Sequence, residues 1–231
     1  MAGGRQSGGP EPLLAGPMIP RGERRSVVVS AGPTREHIDP VRYMTNESSG
    51  RMGFAIAAAA ARAGHRVTLI AGPVHLETPP AVKRVDVVSA REMLVAVRRA
   101  FRGGDALYMA AAVADWRPAR KLAGKWREKD QGTEVASLDL VRNPDILATV
   151  ARGKGDRLVV GFALETGSGL RRARAKLVKK GADYIVLNDA AALNAERTSV
   201  TILDRAGGTQ RIVNRTKQTV AEALVALMAE A

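Results

Sequence analysis

Between a short apolar run, Ser26 to Ser30, and an Ala-rich stretch from about Phe54, the chain carries Ala31-Gly32-Pro33-Thr34-Arg35 and then Ser48-Ser49-Gly50-Arg51-Met52-Gly53. Glycines and serines between a strand and a helix start expose backbone N–H donors where the helix dipole attracts negative charge. The crossover therefore reads as a phosphate cradle. From Ala31 to Ser49 it far exceeds an ordinary βα turn, and it holds Thr34, Arg35, Glu36, Asp39, Arg42 and Asn46. Such length marks either a ligand-handling loop or a surface insertion, and the clean helix opening at Gly50 to Gly53 favours the first.

Three further loops carry chemistry. Ala110-Ala111-Ala112-Val113-Ala114-Asp115 follows Met109, with side chains small enough for a ligand to approach the backbone. Asp115 there serves as a ligand or metal contact, as a helix cap, or as an ion pair with Arg117. Beyond it, Lys121, Lys125, Arg127 and Lys129 crowd a segment with Gly124 and Gly132 and no apolar stripe, which is either solvated surface or a mobile basic flap over phosphates. Arg142-Asn143-Pro144-Asp145-Ile146-Leu147 reads as a capped helix start. Gly161-Phe162-Ala163-Leu164-Glu165 leads to a helix with Arg172, Lys176 and Lys180 at i, i+4 and i+8, a like-charge stripe that needs an anion or carboxylate opposite or lies in solvent.

Composition narrows the chemistry. Zero cysteines exclude disulfides, thiolate nucleophiles and Cys-ligated metals, and fit a reducing cytoplasm. The three histidines, His37, His65 and His75, lack the spacing of a zinc site, and no G-x-S-x-G elbow is present. A net charge of +13 calls for an anionic partner. With 3% aromatic residues the chain is poorly equipped to stack single-stranded bases, so nucleotides or phosphorylated metabolites are favoured over nucleic acid. Neither G-x-x-x-x-G-K-[ST] nor G-x-G-x-x-G occurs, and no acid closes the second strand at Ala71-Gly72-Pro73, which disfavours a P-loop NTPase or an ordinary dehydrogenase. No apolar run is long enough to span a membrane and the first residues show no signal-peptide h-region, so the chain is expected to be soluble and not exported.

The elements that position these loops follow from periodicity. Val27–Val29, Val67–Ile70, Val85–Val88, Ala106–Met109, Leu158–Phe162 and Tyr184–Leu187 predict six buried strands. Helices are expected from Phe54 to Arg62, from Ser89 to Arg102 behind the capping box Ser89/Glu92, from Asp145 to Ala151 and from Leu170 to Lys180. This alternation implies an α/β, Rossmann-like fold: a mostly parallel open sheet with helices on both faces. Val200–Leu203 and Gln210–Val213 around Ala206-Gly207-Gly208 predict a C-terminal antiparallel hairpin, followed by a last helix bearing Val220, Ala223, Leu224 and Leu227. Residues 1–24, rich in glycine and proline, are expected to be a disordered tail or linker ahead of one domain over 25–231.

Five segments in this order, SAGPTREHIDPVRYMTNESSGRMG, AAAVADWRP, VRNPDIL, GFALET and KLVKKGADYIVLND, resemble the phosphopantothenoylcysteine synthetase domain of the bacterial coenzyme A pathway. The likeness covers about residues 26 to 229. It implies a homodimeric cytoplasmic ligase joining 4′-phosphopantothenate to L-cysteine through an acyl-cytidylate, with CTP as nucleotide and Mg2+ as metal. It also implies association with a flavin-dependent phosphopantothenoylcysteine decarboxylase, often fused ahead of this domain. By motif, Asn46, Arg42, Ala112 and Lys125 would be catalytic. The nucleotide would meet Met109, Ala110, Ala111, Asp115, Lys125, Pro144, Asp145, Ile146, Leu147, Phe162, Lys176 and Lys180. Metal ligands are not assigned. The departure is in the flap, where Lys125-Trp126-Arg127-Glu128-Lys129 replaces a compact K-x-K-K and leaves Lys121 and Lys129 as alternatives to Lys125. Two other readings are a nicotinamide-dependent reductase on a similar sheet and a basic nucleic-acid-binding module.

Overall fold

Strands buried on both faces read as unbroken apolar runs, and those runs here form one sheet. The computed structural model describes residues 24–127, 136–165, 169–189 and 197–229. In chain order the elements are β1 (Ser26–Ala31), β2 (Arg35–His37), β3 (Tyr43–Thr45), α1 (Arg51–Arg62), β4 (Arg66–Ala71), β5 (Val82–Asp86), α2 (Ala90–Phe101) and β6 (Ala106–Met109). Then come β7 (Trp116–Pro118), β8 (Leu140–Arg142), α3 (Ile146–Ala151), β9 (Leu158–Glu165), α4 (Gly169–Lys180), β10 (Tyr184–Asp189), β11 (Arg197–Asp204), β12 (Thr209–Thr216) and α5 (Lys217–Ala226).

The eight-stranded sheet runs β5-β4-β1-β6-β9-β10-β11-β12. Its first six strands are parallel, and β11 and β12 add as an antiparallel edge. Counted among themselves, the parallel strands follow the order 3-2-1-4-5-6 of doubly wound nucleotide-binding sheets. Val27, Val29, Leu69 and Tyr108 face α1 and α5 on one side. Val28, Ile70, Leu107 and Val159 face α2, α3 and α4 on the other. Helices thus cover both faces, as the alternation implied.

The later strands run longer than the sequence reading, with Leu158–Glu165 and Arg197–Asp204 the clearest cases, and two other boundaries shift for a local reason. The third strand is Val82–Asp86, in register with Val67–Ala71, and not Val85–Val88. Val87 still donates its N–H to the Ala71 carbonyl at 2.9 Å, but Val88 is claimed by the capping box: Glu92 accepts the Val88 N–H at 3.0 Å, and the Ser89 hydroxyl accepts the Glu92 N–H. The first helix opens at Arg51 and not at Phe54, because Gly50, at φ +74°, turns the chain directly into it. Two small ribbons, β2–β3 and β7–β8, were not foreseen, since three residues per strand carry no readable period. The expected tail before Arg24, and Glu128 to Lys129 and Gly132 of the flap, lie outside the described residues.

Candidate active site

The strand order reverses between β1 and β6, the switch point beside which doubly wound sheets bind their ligands, and the loops leaving the carboxyl ends of these two strands meet there. Those two loops are bonded together. The Ala112 N–H donates to the Gly32 carbonyl at 2.9 Å, and Pro33 bridges Ala112 in parallel sense. Thr34 Oγ1 accepts the Ala114 N–H at 3.0 Å, and Thr45 Oγ1 donates to the Thr34 carbonyl at 2.8 Å. Asn46 completes the seam: its Nδ2 donates to the carbonyls of Val113 at 3.2 Å and Ala112 at 3.4 Å. Asn46 and Ala112, far apart in sequence, therefore form one exposed knot at the rim.

Beside that knot is a cavity of about 260 Å³. Met109, Ala111, Asp115, Pro144, Asp145, Ile146, Leu147, Phe162, Lys176 and Lys180 of the anticipated set all line it. Asn143 builds the wall between them. Its Nδ2 donates to the Ala114 carbonyl at 2.9 Å and its N–H to the Asp115 carbonyl at 2.8 Å, fixing the Asp115 loop to the start of α3. Arg117 donates to Asn143 Oδ1 and to the Arg142 carbonyl, where the sequence had allowed an ion pair with Asp115. Asp145 caps α3, accepting the Ala148 N–H at 3.0 Å.

The cationic stripe of α4 is resolved by protein groups on its three levels. Arg172 pairs with Glu165 at 3.2 Å, Lys176 Nζ donates to the Phe162 carbonyl at 2.6 Å, and Lys180 pairs with the second oxygen of Asp145. Arg172 is thus turned away from the cavity and Lys176 and Lys180 into it. Burial, reinforced by Lys180, pushes the Lys176 ammonium below the ordinary lysine value, against the pull of Glu165, Asp145 and Asp115. Burial alone would raise Asp145, but the Lys180 and Ala148 hydrogen bonds prevail and hold its carboxyl below the usual range. Arg142 and Lys179 also line the cavity, giving four cations against two carboxylates. Sequence reasoning placed Arg142 in its loop but gave neither residue a role. Arg142 is positioned by the unforeseen β7–β8 ribbon, where its guanidinium lies 4.6 Å from the Trp116 ring centre.

The remaining expected residues lie apart from this cavity. Ala110 is not among its lining residues. Lys125 is exposed and lines a separate cavity of about 530 Å³ with Arg120, Trp126 and Asp139. Arg42 is 44% exposed at its side chain and folds onto its own turn, with Nε 3.7 Å from Asp39 and Nη2 donating to the Trp126 carbonyl at 2.7 Å. Among the described residues no group of three or more His, Cys, Asp or Glu side chains gathers to cage a metal ion. No helix among them is long and apolar enough to cross a membrane.

The family model described as the DNA/pantothenate metabolism flavoprotein C-terminal domain matches residues 23–231. The coenzyme A biosynthesis bifunctional protein CoaBC of Escherichia coli strain K12 is 49% identical over 165 residues, covering 71% of this chain and 41% of that protein. Its namesake in Bacillus subtilis strain 168 is 42% identical over 190 residues, covering 80% and 46%. The chain therefore spans less than half the length of these relatives. A crystal structure of the C-terminal domain of CoaBC superposes with a TM-score of 0.76 at 37% identity, covering 89% of this chain and 96% of that one. The DNA/pantothenate metabolism flavoprotein from Streptococcus pneumoniae shares the fold, with a TM-score of 0.78 at 24% identity over 89% and 99%.

Proposed function

The chain belongs to the DNA/pantothenate metabolism flavoprotein C-terminal domain family, and on that premise we propose that it is a ligase of coenzyme A biosynthesis. It joins 4′-phosphopantothenate to L-cysteine at the expense of CTP. The observation that carries this reading is the single cavity that unites Asp115, Pro144 to Leu147, Phe162, Lys176 and Lys180 beside the Asn46–Ala112 knot. Its cationic excess suits a triphosphate, and its small-residue wall suits a flat base and ribose.

A carboxylate is a poor acyl donor and must first be activated. One carboxylate oxygen of the acid attacks the α-phosphorus of CTP, an O–P bond forms, the α–β anhydride bond breaks and pyrophosphate leaves. The cysteine amine then attacks the acyl carbon of the resulting acyl-cytidylate. A C–N bond forms, the C–O bond to CMP breaks, and the amine proton passes to solvent. In this reading Lys176 and Lys180 hold the nucleotide within the cavity, and Lys125, which lies outside it, offsets the charge that develops during activation on the part of the triphosphate extending beyond it. Asp115 reads the cytosine or ribose. Asn46 orients the activated carbonyl next to the Ala112 backbone, and Arg42 offers its remaining N–H groups to the acid's phosphate or carboxylate. The helix start at Gly50 to Gly53 presents further N–H donors to an anion.

Asp115 and Asp145 are the acids in the cavity, and Asp145 is engaged by Lys180, so the donors among the described residues do not fit a resident metal cage. Mg2+ is proposed as the counter-ion carried by the triphosphate, a setting in which it keeps water and phosphate ligands. A homodimer, a cytoplasmic setting and a flavin-dependent decarboxylase acting on the thiol product complete the proposal. The test is pyrophosphate release with CTP, ATP, GTP and UTP, with and without 4′-phosphopantothenate and cysteine. Release that requires the acid and is fastest with CTP is expected; release independent of the acid, or none with any nucleotide, refutes the reading.

A further inference from the structure

The turn 38–42 lies in the long crossover, 84 to 87 residues before the groups of the basic segment 119–127 to which it is bonded. Asp39 is at the centre. Its side chain is fully buried, and Oδ1 accepts the N–H groups of Val41 at 2.8 Å and Arg42 at 2.7 Å. Those two bonds close the turn and by themselves would account for an aspartate. The other oxygen is used differently: Oδ2 accepts the Trp126 N–H at 3.0 Å. Arg42 Nη2 donates to the Trp126 carbonyl at 2.7 Å, and the Leu122 N–H donates to the Ile38 carbonyl at 2.8 Å. Both backbone polar atoms of Trp126 are therefore held by one turn. The segment they belong to has no helix or strand between Ala119 and Arg127, and Lys125, adjacent to the held residue, is exposed.

We propose that Asp39 is a positioning residue that holds Lys125 for the phosphates by gripping the Trp126 backbone; this rests on the ligase reading given above. The choice of a carboxylate follows from the donors around it. Three N–H groups converge on two oxygens, and an asparagine has one acceptor and an NH2 group that meets one of those N–H donors head on. The buried charge is supported by the same donors and by the Arg42 guanidinium, which together outweigh burial and keep the carboxyl below its usual range.

The test uses Asp39→Asn and, as a second variant, Asp39→Ser. Serine can still close a turn through its hydroxyl but is too short to reach Trp126. The chain has two tryptophans, so a Trp116→Phe background leaves Trp126 as the sole fluorophore. Both variants are expected to make Trp126 about twofold or more easier to quench with acrylamide. They are also expected to lower kcat for acid-dependent pyrophosphate release by about 10- to 100-fold, the scale of a misplaced catalytic group. Asp39 also holds Arg42, so the role of Lys125 is isolated by a double variant: adding Asp39→Asn to Lys125→Gln should lower kcat little further, whereas a general loosening of the crossover would add its full loss. Unchanged quenching or an unchanged kcat in either folded variant, or a full further loss on adding Asp39→Asn to Lys125→Gln, overturns the assignment. If the wild-type chain releases no pyrophosphate, the ligase reading fails, and the quenching measurement still decides whether Asp39 holds Trp126.

Discussion

Replacing Gly53 with alanine tests whether the phosphate cradle depends on how closely α1 approaches β1. An alanine Cβ at this position would lie 2.5 Å from the Ala31 Cβ, 2.9 Å from the Ser30 carbonyl oxygen and 3.0 Å from the Ala31 Cα. Ser30 and Ala31 are fully buried and paired on both sides, to β4 and, through Ser30, to β6, so the strand cannot yield. Carbon–carbon contacts relax only near 3.5–4.0 Å, so the helix must withdraw by about 1 Å. Overpacking of this kind costs about 1–3 kcal/mol, against which alanine's better helix propensity returns up to about 1 kcal/mol. The balance of about 0–3 kcal/mol lowers Tm by up to about 12 °C for a chain of this size. The withdrawal also carries the N–H groups of residues 50–52 away from their ligand, and a displacement near 1 Å costs about 100-fold in rate. Thermal unfolding and kcat/KM for pyrophosphate release measure the two effects. Gly103→Ala, whose added Cβ meets nothing within 4 Å, is the control and should change neither. A Gly53→Ala protein with wild-type Tm and kcat/KM within about threefold of wild type would refute the claim that this close contact sets the cradle.

Four further outcomes are expected. Lys125→Gln should lower acyl-cytidylate formation by about 100-fold or more, and wild-type pyrophosphate release would transfer the role to another lysine of residues 121–129. Asn46→Asp should leave activation intact while amide formation falls steeply; an unchanged overall rate would remove Asn46 from the mechanism. Because Lys176 has a depressed folded-state pKa, the unfolded chain binds more protons on the alkaline side, so the free protein gains stability as pH rises between the folded value and the ordinary lysine value. CTP affinity should fall over the same interval as the ammonium is lost, and calorimetric titration of Lys176→Met should show that pH dependence flattened. Light scattering should give twice the monomer mass of 24.5 kDa, and a single species at the monomer mass would contradict the homodimer.

The sequence by itself determined the sheet and most of its helices, because buried parallel strands and capped amphipathic helices leave signals within five to twelve residues. It also located the loops that carry the chemistry, since each follows a strand that period and length make legible. Tertiary structure decided which of those loops meet. Asp115, Asp145 and Lys176 share a cavity because β6, the α3 start and α4 converge on one rim, a fact that no local window contains. The partners of the α4 stripe, Glu165, the Phe162 carbonyl and Asp145, were likewise settled by strand neighbours and a preceding loop. The place of Arg142 in the cavity and the Asp39 grip on Trp126 were invisible for the same reason: each depends on hydrogen bonds between chain segments many residues apart, formed only once the sheet has fixed the distance between them.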